Sequence, residues 1–186
     1  EALKFLLACP ARRRQTTADE HFDPAQLEQQ ALELQKRIAL LETERDDLRE
    51  RLTAAEPWGD FHFPALHELA GNRLWFYVVP DPQMPQFVDS ELTWQRMRRE
   101  AGLNYVVVVD PHEPTSLAVP RVHIGSRSPD ELRERIAQVE QALEAAQTER
   151  SGLTKWCSLL AQNITRLENR AARIGAAGAA VDGQIQ

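Results

Sequence analysis

Cysteine is nearly missing from these 186 residues: Cys9 and Cys157 are the only two. They form no close pair and no metal-ligand spacing, which excludes a disulfide framework and fits a reducing compartment. Glycine is sparse too. Its eight copies are scattered or lie in the tail, and none builds a phosphate-cradling loop of the P-loop or Rossmann kind. No apolar run approaches the roughly 18–20 residues that span a bilayer. The run from Tyr105 to Val109, for one, is short. An excess of positive charge is also lacking. The formal net charge is −6, so a general nucleic-acid role has no electrostatic support. The first residues do not read as a secretory leader. The chain begins with Glu1 rather than Met and ends in a Gly/Ala-rich stretch, Gly175 to Gln186, which reads as an excised piece of a longer protein.

What the sequence does carry is periodicity. Leu27, Ala31, Leu34, Ile38, Leu41, Arg45, Leu48, Leu52 and Ala55 alternate spacings of four and three, and all but Arg45 are apolar. That is a sustained heptad seam. Asp23 is a good N-cap, Pro24 suits the first helical position, Gln26 completes a capping box, and Pro57 ends the helix. A second seam runs from Leu132 through Ile136, Val139, Leu143, Ala146, Arg150, Leu153, Cys157, Leu160, Ile164, Leu167 and Ala171 to Ile174. Ser128-Pro129-Asp130-Glu131 is its capping box. The seam arginines, Arg45 and Arg150, are expected to snorkel or to pair with glutamates of the facing helix.

Between the seams the texture changes. Leu74 to Val79 reads as a strand apolar on both faces, and Asn104 to Val109 as a buried strand. Ser90 to Glu100 reads as a helix, with Gly102 just past its end. Leu117 to Ile124 reads as a strand that Pro120 confines to a sheet edge. A short helical piece is expected over Pro64 to Ala70. The expected class is therefore α+β: a long antiparallel two-helix coiled coil with a small α/β lobe, strand-helix-strand-strand, inserted at its tip. The parts are a base segment 1–22, an outgoing helix 23–57, a distal lobe 58–127, a return helix 128–175 and a flexible tail 176–186. At about 1.5 Å per residue the helices would be roughly 50 and 70 Å long. The return helix overshoots, and Leu3, Phe5, Leu6 and Leu7 are placed to cover the overshoot.

No constellation demands catalysis. His62 and His67 lie near Asp60 and Glu68, but their spacing is not that of a helical zinc pair and no cysteine assists. Asp110, His112 and Glu113 crowd a proline-rich turn. Cys157 falls on the seam and reads as a packed small hydrophobe. Trp75, Tyr77 and Trp94 read as core, and Arg12, Arg13 and Arg14 as a loop. No catalytic, cofactor or metal residue is assigned. Arg96, Arg98 and Arg99 make a basic spot, and Arg121 and His123 share one side of the expected edge strand. Arg96, Arg99, Arg121 and His123 are the candidate partner-binding residues.

At Pro57-Trp58-Gly59-Asp60-Phe61 a further pattern emerges. A heptad helix running into this motif, then Leu66, Leu69, Gly71 and a strand near Leu74, resembles subunit I, the a-type subunit, of V/A-type ATPases. Ala101-Gly102-Leu103-Asn104-Tyr105 and Ser128 to Leu132 fit the same order of parts. The resemblance covers roughly residues 23 to 175. It implies a non-catalytic stator segment. In that family a helical arm joins two cytosolic lobes, and a membrane half lines the proton or sodium path. The distal lobe holds the peripheral-stalk E and G subunits against the torque of the rotor. This chain would be the arm and distal lobe, lying at the cytoplasmic face of the membrane without entering it. The family's membrane arginine has no counterpart here, and Arg12, Arg45 and Arg150 do not take its role. The competing reading is the hinge of an SMC-like coiled-coil scaffold. It shares the layout but expects a glycine-rich dimerising lobe. A third, the coiled-coil arm of an RNA-binding enzyme, expects a basic arm, whereas acids and bases are balanced here.

Overall fold

Asp23 sets the start of the first long helix. Its side-chain oxygen accepts hydrogen bonds from the backbone amides of Ala25 and Gln26, at 2.9 and 3.1 Å. Two orphan donors of the first turn are thereby satisfied. In the computed structural model, which describes residues 1–65 and 67–182 (side chains to Ala176), that helix is α2, Pro24–Ala55, preceded by a short α1, Ala2–Leu7. The return helix starts at the expected capping box. The Glu131 carboxylate accepts from the Ser128 amide at 2.7 Å, and the Ser128 hydroxyl accepts from the Glu131 amide at 3.3 Å. From there α4 runs Pro129–Leu153, a 3-10 turn covers Thr154–Trp156, and α5 covers Cys157–Asp182.

That break corrects the single uninterrupted helix expected over 128–175. Its cause is local. The Thr154 and Lys155 carbonyls accept from the Gln15 side chain and the Thr16 amide, each at 2.8 Å, while the Thr154 hydroxyl donates back to the Ser151 carbonyl at 2.6 Å. Groups drawn to outside partners tighten the turn. The expected flexible tail is helical backbone as far as Asp182, and residues 183–186 lie outside the described residues.

The chain forms two compact units, and α2 and α4 contribute to both. The helical unit comprises residues 1–43 and 140–186. Its core gathers Ala2 and Leu6 of α1, Leu27 and Ala31 of α2, and Cys157 and Leu160 of α5. Phe22 packs on the same cluster, the staple position before the cap. Farther along α2, Arg37 pairs with Glu149 of α4, so the two chain directions are opposed within this unit. The seam arginine Arg150 does not pair with a glutamate. Its guanidinium donates to the Phe5 carbonyl and lies 4.1 Å from the Phe5 ring centroid. It thus tethers the base segment to the helix.

The sheet unit comprises residues 44–139. It holds β1, Arg73–Pro80; a four-residue helix α3, Pro85–Val88; β2, Thr93–Glu100; β3, Leu103–Asp110; and β4, Arg121–Val122. The strands form one antiparallel sheet in the order β2-β3-β1-β4. Helix and sheet together make the α+β class. The helix expected over Ser90–Glu100 is instead the edge strand β2. A hairpin decides the matter. Ala101 and Gly102 both take positive φ, 48° and 78°, the signature of a type I′ turn, so Gly102 is a hairpin residue and not a helix stop. Arg45, the other seam arginine, bridges Asp46 beside it at 2.8 Å and not a glutamate of the facing helix. The expected strand Leu117–Ile124 shrinks to Arg121 and Val122, because Pro120 cannot donate to a ladder. Over the expected Pro64–Ala70 helix, His67 to Ala70 make turns and Pro64 and Ala65 are irregular; Leu66 lies outside the described residues.

Both faces of β1 are covered. On one, Trp75, Tyr77 and Val79 pack with Val106, Val108, Phe87 and Val119. On the other, Phe76 packs with Trp58 and Ile124, flanked by Phe61, Phe63 and Tyr105. Trp58 meets the Phe76 and Tyr105 rings edge-on, with centroids 5.1 and 5.3 Å away. Pro57 ends α2 in a 3-10 turn, and Gly59 reverses the chain at φ 82°, ψ −176°. That region is essentially open to glycine alone. The motif Pro57 to Phe61 therefore has a packing role: it leads the chain off α2 and under the sheet.

Two expectations follow. Trp58→Ala should destabilise the protein by about 3–5 kcal/mol in urea unfolding, as for other large aromatic truncations. Ala101→Asn should stabilise it by about 1 kcal/mol, since asparagine tolerates the left-handed turn position that strains alanine.

Candidate functional site

Strand order separates the candidate partner-binding residues. β2 and β4 are opposite edges, with β3 and β1 between them. At strand spacings of about 4.8 Å the two edges are roughly 14 Å apart. Arg96 and Arg99 therefore belong to one edge, Arg121 and His123 to the other.

On the β2 edge every residue from Thr93 to Glu100 except Trp94 is exposed. The register slips between Arg96 and Arg98, leaving Met97 as a bulge. Arg99 forks onto Asp81, at 3.1 and 2.7 Å. Asn104, fully buried in β3, donates to the Val79 carbonyl at 3.1 Å and to Asp81 at 2.8 Å. Its own oxygen accepts from Arg96 at 3.4 Å. Arg98 pairs with Glu100 at 3.1 Å. Asp81 and Asn104 were not singled out in the sequence. Asn104 had a signal, as a polar residue heading an apolar strand. Asp81 had none, because its partner comes from a strand read as helix.

On the β4 edge Arg121 is the hub. It donates to Glu113 at 3.0 Å, lies 5.0 Å from the Trp75 ring centroid, and contacts both ring nitrogens of His123, at 3.0 and 2.7 Å. A guanidinium only donates, so the imidazole accepts with a free lone pair. The shared direction expected of Arg121 and His123 is thus a direct contact. Beside them lies a cavity of about 820 Å³ lined by Phe63, Leu69, Arg73, Phe76 and Ile124 among others.

The remaining candidates are dispersed. His62, His67 and His112 are exposed, and the Asp110 carboxylate accepts from the His112 amide at 2.9 Å, an ordinary turn bond. Cys9 and Cys157 are both buried and free, and burial raises the Cys157 thiol above its usual range. Among the described residues no group of three or more His, Cys, Asp or Glu could hold a metal ion, and no helix is long and apolar enough to cross a membrane. The arrangement offers two charged sheet edges, one around Arg96 and Arg99 and one around Arg121. No protein-family model, curated protein or solved structure matches the chain.

Asp81 makes the first edge pH-dependent. The Arg99 hydrogen bond, and after it that from Asn104, holds its carboxyl below the usual range. A carboxylate lowered in the folded state adds stability above its unfolded value of about 3.9, and loses it as pH falls through the folded value. In urea midpoints measured from pH 7 to 2, Asp81→Asn should therefore decline less steeply than the parent below about pH 4. Identical acid limbs would remove Asp81 from this account.

Proposed function

We propose that this chain is a non-catalytic stator segment of a rotary V/A-type ATPase, linking peripheral-stalk subunits to the ion-translocating membrane part of the same subunit. The supporting observation is the packing of Pro57 to Phe61. The motif that carries the resemblance to subunit I is also the joint that locks the end of α2 under the sheet through Trp58. A part that transmits force between a helix and a partner-bearing sheet needs such a joint. An independent dangling lobe does not. Arg133 of α4 reinforces the corner, bridging Asp60 at 3.0 Å and Asp130 at 2.9 Å.

In this reading α2 and the α4–α5 run form an antiparallel coiled coil. Both seams are largely buried, at Leu27, Ala31, Leu34, Ile38 and Leu48 on one and at Leu132, Ile136, Val139, Leu143 and Ala146 on the other. The sheet edges are the surfaces offered to the E and G subunits, with Arg99 and Arg121 fixed in direction by Asp81 and Glu113. The segment would lie at the cytoplasmic face of the membrane.

The test uses the chain with a purified E–G stalk pair. The parent should bind as a monomer by light scattering. Arg99→Glu with Arg121→Glu should weaken binding by about tenfold or more, as charge reversals at an interface do. Unchanged binding would discard the two edges as the surface. A parent that ignores the stalk pair and dimerises through its sheet would replace the stator with the hinge reading.

A further inference from the structure

The seam of the return helix stays apolar beyond the point where the described residues bury it. Leu160 is 4% exposed, whereas Ile164, Leu167 and Ile174 are 36%, 55% and 65% exposed. With Ala171 they keep the alternation of three and four that places the buried positions upstream. The stripe is continuous with an interface already formed. Its first members, Leu160, Ile164 and Leu167, line a cavity of about 210 Å³ together with Leu3 of α1 and Pro24 of α2, with the acids Glu1 and Glu28 on the wall away from the arginines. On its buried side α1 and the start of α2 cover Cys157 and Leu160. The docking groove thus has a floor and walls at one end and an open face at the other.

Charge runs beside the stripe. Arg166, Arg170 and Arg173 follow one another at spacings of four and three and line a shallow hollow with Gln162 and Asn169. Glu168 is the lone acid between Ala161 and Ala176. Elsewhere the chain is acidic overall, with a net charge of −6, so this stretch is a local reversal of sign.

We propose that residues 160–174 of α5 receive an amphipathic α-helix of a partner protein whose flank is acidic. Three features select this occupant. The apolar stripe is narrow, two positions in seven, which is the width of a helix–helix seam. A helix lying on a membrane needs a broader apolar face, commonly with aromatic residues, and none occurs between Ala161 and Ala176. A second copy of this chain packed antiparallel would set the arginine flank against itself, which is repulsive. An acidic flank satisfies the arginines, and its apolar seam covers Ile164, Leu167 and Ile174. This face is distinct from the sheet edges assigned to the stalk subunits, and the inference holds whether or not the stator reading does.

The experiment measures fluorescence anisotropy on the full 186-residue chain with defined probes. One is a synthetic helix with leucines at three-four spacing flanked by glutamates. A second is the same helix flanked by lysines. The third is vesicles of phosphatidylserine and phosphatidylcholine. The glutamate helix should bind. Leu167→Gln with Ile174→Gln, both exposed and hence compatible with an unchanged circular dichroism spectrum, should weaken it about tenfold or more. Arg166→Glu with Arg170→Glu should weaken it similarly and transfer binding to the lysine helix. The proposal is overturned by no binding of the glutamate helix, by equal binding of both helices, or by preference for vesicles. Self-association of the chain that Leu167→Gln abolishes would overturn it too.

Discussion

Trp58 is the point at which helix becomes sheet. Within three residues the chain must stop a 32-residue helix, reverse, and lie flat beneath two strands. Pro57 stops the helix, Gly59 supplies a backbone conformation closed to other residues, and the indole fills the space the reversal opens. Phe76 and Tyr105 take their positions from its two edges, and Phe61 and Phe63 close the layer. The other anchors of the sheet unit follow from this corner. Arg133 reaches Asp60 there, and the Ser128–Glu131 box starts the return helix close enough for Arg133 to do so.

The sheet's two edges are managed by different means. β2 is long and open, which invites pairing with foreign strands. Its bulge at Met97 and its run of arginines break the flat, apolar register that such pairing needs. β4 is two residues long, cut short by proline, and its arginine is occupied from three sides by a carboxylate, an imidazole and an indole. Each edge therefore discourages backbone pairing while presenting oriented charge. Recognition at either would go through side chains.

The helices were legible because their signals are redundant: a heptad seam, an N-cap and a proline stop all agree at Asp23, Pro57 and Ser128. β1 and β3 were legible from their apolar, β-branched runs. β2 was not, because Gln95, Arg96, Met97, Arg98 and Glu100 favour helices by intrinsic propensity, and an exposed edge strand has no alternation to contradict them. The pair Ala101-Gly102 held the opposing information, but a glycine after such a run serves a helix end as readily as a hairpin. Arg96 and Arg99 were legible as exposed cations, whereas Arg121 is half-buried. Their division between opposite edges was not, since it depends on strand order, which is a property of the whole sheet. Of the two roles expected of Arg150, pairing with a glutamate was not met, for a related reason. Its partner is a main-chain carbonyl in the base segment, and carbonyls leave no mark in a sequence.

The 3-10 turn at Thr154–Trp156 has a geometric consequence. A 3-10 turn advances about 120° per residue and an α-helix about 100°, so three residues add roughly 60° of rotation. The apolar stripe is thereby re-aimed between Leu153 and Cys157, while Cys157 and Leu160 still pack against Leu27 and Ala31 of α2. Gln15 and Thr16, by holding the carbonyls of Thr154 and Lys155, act as a phase adjuster. Along α5 the same heptad can then meet α1 as well as α2, with no change in its spelling.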